Sequence, residues 1–279
     1  MKKFGSVILI SLLSISLCTA QQSTEKIKGN RNVTIQQTNI ESFHTIALDE
    51  DFEVEIIFNK NPYVEVETDE NLHEFIEFRV IDSVLTFNKK AKITKKKKLY
   101  IKVTYNNALR HIVTTDNAEI LSLATMDLKH GTLKTRGASK AGLTIKSDNF
   151  DFDGDDKSKV KLNLTSETCS IALSGNSKLE ALINTTELSA TLYQRANANI
   201  EGSCNLTKLE LDNNTAFNGK NFTINTCDIL SEISGDAYLE VIENITIEAS
   251  GNSAIYLYEN PKIIINKLSD TAKLQKKVK

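Results

Sequence analysis

Apolar and polar residues alternate along almost the whole chain, in short runs broken by small polar turns. FEVEIIF (Phe52–Phe58), YVEVET (Tyr63–Thr68), VLTF (Val84–Phe87) and LYIKVTY (Leu99–Tyr105) carry the period-two pattern of half-buried strands. From about Ile112 the alternation becomes periodic, and turns of one kind separate its strands. SGNSKL (Ser174–Leu179), SGDAYL (Ser234–Leu239), SGNSAI (Ser250–Ile255) and SDTAKL (Ser269–Leu274) are the clearest copies. TDNAEI, RGASKA, DDKSKV, RANANI and DNNTAF are weaker ones. Ala118, Ser139, Ser158, Ser177, Ala198, Thr215, Ala237, Ser253 and Ala272 mark the copies about every 19 residues. A unit this short cannot bury its apolar face alone and must stack on its neighbours. Gly, Asn, Asp and Ser in the turns tolerate the left-handed backbone that corners need.

The pattern predicts an all-β fold, a right-handed parallel β-helix (a solenoid of about 19 residues per repeat). Coils stacked at about 4.8 Å would make a rod about 40 Å long. Leu206–Asn214 fits a leucine-rich repeat, but no other unit reproduces it and no unit has a helical half; a β-sandwich is the other all-β arrangement weighed. Helical spacing occurs only in NLHEFIEF (Asn71–Phe78), with Asp69 placed to cap it. Residues 28–111 are therefore expected to form a β-rich N-terminal section with one short helix that caps the solenoid. Residues 112–274 form the repeats and 275–279 a charged tail. Alternation places Ile171, Leu173, Leu209, Leu211, Tyr238, Ile245, Ile247, Ile263 and Ile265 in the core.

The first 20 residues read as a signal peptide: Lys2 and Lys3, an apolar run Val7–Leu17, and a small-residue cleavage site between Ala20 and Gln21. The run is too short to span a bilayer, and no later one reaches the ~20 apolar residues required. Leu17 is too bulky to precede a lipidated Cys18. The expectation is export to the periplasm, the cell surface or the medium. Cys169, Cys204 and Cys227 then remain, an odd number that cannot pair completely. Each lies two residues before an apolar strand residue (Ile171, Leu206, Ile229), so each is expected inside as an unpaired small hydrophobe.

With a formal charge of −2 and no basic stripe, nucleic acid is not an expected partner. Charge is nevertheless segregated: Glu41–Glu77 is rich in acids, Lys89–Lys102 in lysines. KKAKITKKKKLY (Lys89–Tyr100) reads better as a lysine-protected strand edge facing the acidic strands than as a patch for anionic surfaces. Asp151, Asp153, Asp155 and Asp156 cluster, but without the glycine and glutamate spacing of a calcium loop. His44, His73, His111 and His130 are dispersed, and no nucleophile elbow or phosphate loop occurs. No catalytic, cofactor-binding or metal-binding residue is assigned. Tyr256 and Tyr258 share one strand face, a placement suited to contacts or to covering the last coils.

Several segments in order are similar to the DUF2807 family (putative autotransporter adhesin, head GIN domain), abundant in Bacteroidota. They are GNRNVTIQQTNIESFHTIALDEDFEVEIIF (Gly29–Phe58), YVEVETDENLHEFIEFRVIDSVLTF (Tyr63–Phe87) and the SGNS/SGDA turns, over about residues 29–274. Arg31 stands where the family opening more usually has glycine. The resemblance implies an exported β-helical domain and supplies no catalytic or ligand residues. The function expected is adhesion, or non-enzymatic binding of a cell-surface glycan or protein. A carbohydrate-active enzyme (polysaccharide lyase or glycosidase) with paired carboxylates, and a structural envelope scaffold, are the alternatives.

Overall fold

A computed structural model describes residues 25–278. The expected signal sequence and its expected cleavage site between Ala20 and Gln21 lie outside these residues. The chain forms a β-solenoid of about nine coils with about 19 residues each, as the turn spacing predicts. Long strands, among them Lys140–Gly154, Lys159–Leu173 and Lys178–Leu192, pair in parallel, residue on residue, with the coil before and after, and Asn197–Asp212 does so with the coil before but shifts register after Asn199 on the next. Each wraps a corner without losing its ladder. In Lys140–Gly154 burial alternates until Asp148 and Asn149, two successive exposed residues, which shift the phase before Phe150 turns inward again.

Columns of equivalent residues build the core. Phe150, Cys169, Leu188, Thr207, Cys227 and Ile245 lie one above another and all are buried. At the turns a second column, Ser139, Ser158, Ser177, Ala196, Thr215, Gly235 and Ser253, accepts a hydrogen bond from the next coil through each main-chain carbonyl. This column corrects the sequence markers at two places: Ala196 and Gly235 are the true equivalents, each two residues before Ala198 and Ala237. The turns also need one left-handed residue per coil, supplied by Asp116, Gly137, Asp156, Gly175, Gln194, Ile233, Gly251 and Asp270, and by the pair Asn213–Asn214. In SGNS (Ser174–Ser177 and Ser250–Ser253) that residue is the glycine. In SGDA it is Ile233, and Gly235 instead packs inward against Leu211 and Ser231.

Six of the nine residues expected in the core are buried: Ile171, Leu173, Leu209, Leu211, Ile245 and Ile247. The other three are not. Tyr238 is half-buried because it points outward from its strand. Ile263 and Ile265 continue the columns of Ile245 and Ile247, yet are 44% and 49% exposed, since Lys262–Leu268 pairs only with Asp236–Ala249 among the described strands. Cys169, Cys204 and Cys227 are unpaired and buried as expected, and burial pushes all three thiols up. The facing argument fails for Cys204, however, because Leu206 is half exposed. Cys204 occupies the corner column of Ser147, Ser166 and Thr185, where its thiol donates to the Leu206 carbonyl at 3.0 Å.

The N-terminal part interleaves. Thr45–Leu48 pairs in parallel with Val84–Lys89 and His111–Thr114, and Glu53–Phe58 with Leu99–Tyr105 and Glu119–Ser122. Val33–Asn39, Tyr63–Asp69 and Ile76–Ile81 add antiparallel pairings. The expected helix is a single 3-10 segment, Glu70–Phe75, and Ile76 onward is strand. Asp69 does not cap it: its buried carboxylate accepts from the Lys97 amide at 2.7 Å. A Cβ on Gly29 would lie 1.9 Å from that carboxylate, which explains the glycine. Arg31 has φ +67, the conformation for which glycine is the less strained choice.

Candidate functional site

Because inward residues fill the core, the outward residues of the stacked strands form long continuous columns on the surface. On the strand after each turn, parallel register aligns Leu121, Gly142, Lys161, Glu180 and Asn199 in one outward column. The column continues through Asn218, Tyr238, Tyr256 and Gln275. A neighbouring column carries Thr144, Asn163, Leu182 and Glu201. Between them lies an open hollow of about 410 Å³ spanning four coils. Small residues make it concave: Gly142, over which the Leu121 side chain leans, and Ala181. Lys161 and Glu180 face each other at 3.7 Å, both largely exposed. An exposed pair of this kind is weakly coupled, so both groups stay available to a ligand.

Toward the later coils the polar ladder turns aromatic. Asn218 donates to Asn199 at 2.8 Å, and the Tyr238 and Tyr256 rings stack at 4.5 Å with 19° between their planes. Lys277 sits 4.8 Å from the Tyr256 ring centre. Tyr258, two residues on, is nearly buried, so of the pair singled out in the sequence only Tyr256 offers its ring to this surface. The ladder is a strip of alternating donors and acceptors ending on an aromatic stack. Nothing in a single repeat reveals it. Alignment of the repeats on their turns would have, at the third residue after each marker serine of the Ser139–Ser177 copies.

The other residues that stood out in the sequence serve the fold. Lys89 bonds Asp51 and lies 3.5 Å from Glu50, Lys98 reaches Glu67 and Lys102 reaches Glu65, each at 2.6 Å. Lys89, Lys98 and Lys102 of the lysine-rich stretch are thus paired with acids of the preceding segments, and Lys89 holds the Asp51 carboxyl below its usual range. Asp153 pairs with Arg136 at 2.6 Å, and Asp156 accepts from the Gly137 amide one coil earlier at 2.9 Å. His44 and His111 meet edge to face at 6.0 Å, whereas His73 bonds Thr34 and His130 bonds Asn149. Among the described residues no group of His, Cys, Asp and Glu could hold a metal ion.

Comparison with known proteins adds the lineage. The model of DUF2807, "Putative auto-transporter adhesin, head GIN domain", matches residues 42–182 and 160–261. The chain belongs to this family. Three solved structures are similar to this DUF2807 chain in fold. A "putative adhesin" from Parabacteroides distasonis has 16% identity and a TM-score of 0.64, and the match covers 90% of this chain and all of that one. A "putative adhesin" from Parabacteroides merdae has 17% identity and a TM-score of 0.60, covering 90% and 99%. A "putative lipid binding protein" from Parabacteroides distasonis has 16% identity and a TM-score of 0.61, again covering 90% and 99%. No curated protein matches this DUF2807 chain.

Proposed function

We propose that this protein is an exported, non-enzymatic adhesin that holds a cell-surface glycan along the outward column from Gly142 to Tyr256. Residues 1–20 direct export, and residues 28–111 close one end of the rod. The observation that carries the reading is the unbroken column of polar and aromatic side chains at the coil spacing of about 4.8 Å. That pitch is comparable to one sugar ring, so successive rings of a polysaccharide meet Lys161, Glu180, Asn199 and Asn218 in turn. Amide, ammonium and carboxylate groups there supply both donors and acceptors for hydroxyls. Adhesin descriptions of the family and of two similar structures support the same reading.

The test is titration of the mature protein with envelope polysaccharides, followed by analysis of the same mixtures for shortened chains. Saturable binding without cleavage is expected, weakened about tenfold by the double change Glu180→Ala and Asn199→Ala, two exposed contacts of modest worth each. Cleavage abolished by changing one carboxylate would overturn the reading in favour of a carbohydrate-active enzyme. Absence of binding to every glycan would favour a structural scaffold.

A further inference from the structure

A second concavity, of about 500 Å³, opens where the early coils meet the start of the repeats, and it shares no residue with the outward column. Two strand ends form its floor. Phe58 and Tyr105 are register partners whose rings meet edge to face at 5.8 Å, and Phe58 is 47% exposed whereas Tyr105 is 2% exposed. One wall is the turn after Tyr105. Arg110 is fastened there by donating from one guanidinium nitrogen to the Asn107 and Leu109 carbonyls, at 2.6 and 2.7 Å. The other wall is the strand Met126–Thr135, whose Met126 and Leu128 are buried while Asp127 and Lys129 face out into the opening.

Three features of this cleft are unusual for a merely solvated corner. A large apolar ring stands half exposed at its floor. The Tyr105 ring is buried but lines the cleft, its hydroxyl makes no hydrogen bond among the described residues, and burial with the nearby Asp127 charge pushes its pKa up to about 12. Two cations and one carboxylate converge, none of them in an ion pair among the described residues. A ligand that satisfies all of these needs an apolar face for Phe58, an anionic group for Arg110 and Lys129, and hydroxyl donors for Asp127. An acceptor on it can also take the free Tyr105 hydroxyl. Unsubstituted aromatic acids such as benzoate lack the donors, and neutral sugars lack the anion.

We propose that this cleft binds a carboxylated sugar residue, of the uronic-acid class, as a second glycan site separate from the outward column. The carboxylate lies between Arg110 and Lys129, where a guanidinium can bind it bidentately. The C–H face of the ring packs on Phe58, and ring hydroxyls bridge Asp127 and Tyr105. The proposal rests on the glycan-binding reading but concerns residues that the column does not use.

Calorimetric titration of the mature protein with glucuronate and galacturonate tests it, with glucose, benzoate and phenylalanine as comparison probes. Saturable uronate binding at least about tenfold tighter than glucose is expected, the difference one charge-assisted contact makes. Lys129→Gln and Phe58→Ala should each weaken it, while Glu180→Ala with Asn199→Ala leaves it unchanged. Arg110→Gln should weaken it too, but its loop contacts make Lys129→Gln the cleaner variant. Equal affinity for glucose, tighter binding of phenylalanine or benzoate, no uronate binding, or indifference to Lys129→Gln would each overturn the proposal. Polysaccharide binding that survives Lys129→Gln while uronate binding is lost would show two separate sites. Loss of uronate binding alone leaves the column reading standing.

Discussion

Single residues pay for the regular stacking at the turns, and Ile233 shows it most clearly. It is β-branched, sits at φ +63 and is 57% exposed, so it bears left-handed strain without gaining burial. Its equivalents are glycine, aspartate, asparagine and glutamine, residues for which that conformation is easier. Ile233→Gly is expected to stabilise the protein by about 0.5–1 kcal/mol, the relieved strain less the added chain entropy of glycine. The urea midpoint measures it; an unchanged or lower midpoint would mean that the turn is not strained. Tyr100 and Tyr105 make a second case. Burial raises both phenols from 10.0 to about 12, Tyr100 with help from its 2.6 Å hydrogen bond to Glu55. Folded pKa values above the unfolded one mean that the unfolded chain releases these protons first. Their contribution is fully present below pH 10.0 and lost as pH rises towards about 12. Urea midpoints should therefore fall between about pH 10 and pH 12, and less steeply in a Tyr100→Phe, Tyr105→Phe double variant. Equal slopes in the two proteins would sink the argument.

At the scale of the element, period-two alternation and a turn about every 19 residues sufficed to read a β-solenoid, because both reflect what the chain must bury. Facing was legible only where a strand runs straight. Cys204 and Leu206 straddle a corner, where two successive residues face out and the phase shifts, and simple alternation misassigns Leu206 there. Turn motifs were legible as turns but not in register. SGDA resembles SGNS in letters, yet Ile233 takes the left-handed position, so the glycine falls two residues later and enters the core column. Ile263 and Ile265 had the right facing and the wrong burial, since exposure there depends on what covers the last described strand and not on that strand's own sequence. The 3-10 segment Glu70–Phe75 shows the same limit: helical spacing over a few residues yielded to the strand that starts at Ile76. The outward column was least legible of all. Its members share no residue type and are neighbours only through register, which spacing announces but individual motifs do not.

For the molecule as a whole, stacked coils that contact chiefly their neighbours make the number of coils adjustable. Lys140, Lys159, Lys178 and Asn197 are register partners in sequence, and the turns before them present the same carbonyl column, so one coil can be removed between equivalent points. Deleting residues 159–177 joins Ser158 to Lys178 in the register that Lys159 held and sets Val160's neighbours Ala141 and Leu179 in contact. The core column closes as Phe150 on Leu188. The shortened protein is expected to keep its β-sheet circular dichroism and a single cooperative unfolding transition, with a smaller hydrodynamic radius. A deletion of half that length, from 159 to 168, exchanges inward for outward positions and should not fold. The two proposed binding sites respond differently to the whole-coil deletion. Lys161 leaves the outward column and Asn163 the neighbouring one, so polysaccharide affinity should fall, whereas Phe58, Tyr105, Arg110, Asp127 and Lys129 lie in earlier coils and uronate binding should persist. If the whole-coil deletion unfolds the chain as the half-coil one does, the coils are not interchangeable units. If it folds and polysaccharide binding is undiminished, the glycan does not lie along the column.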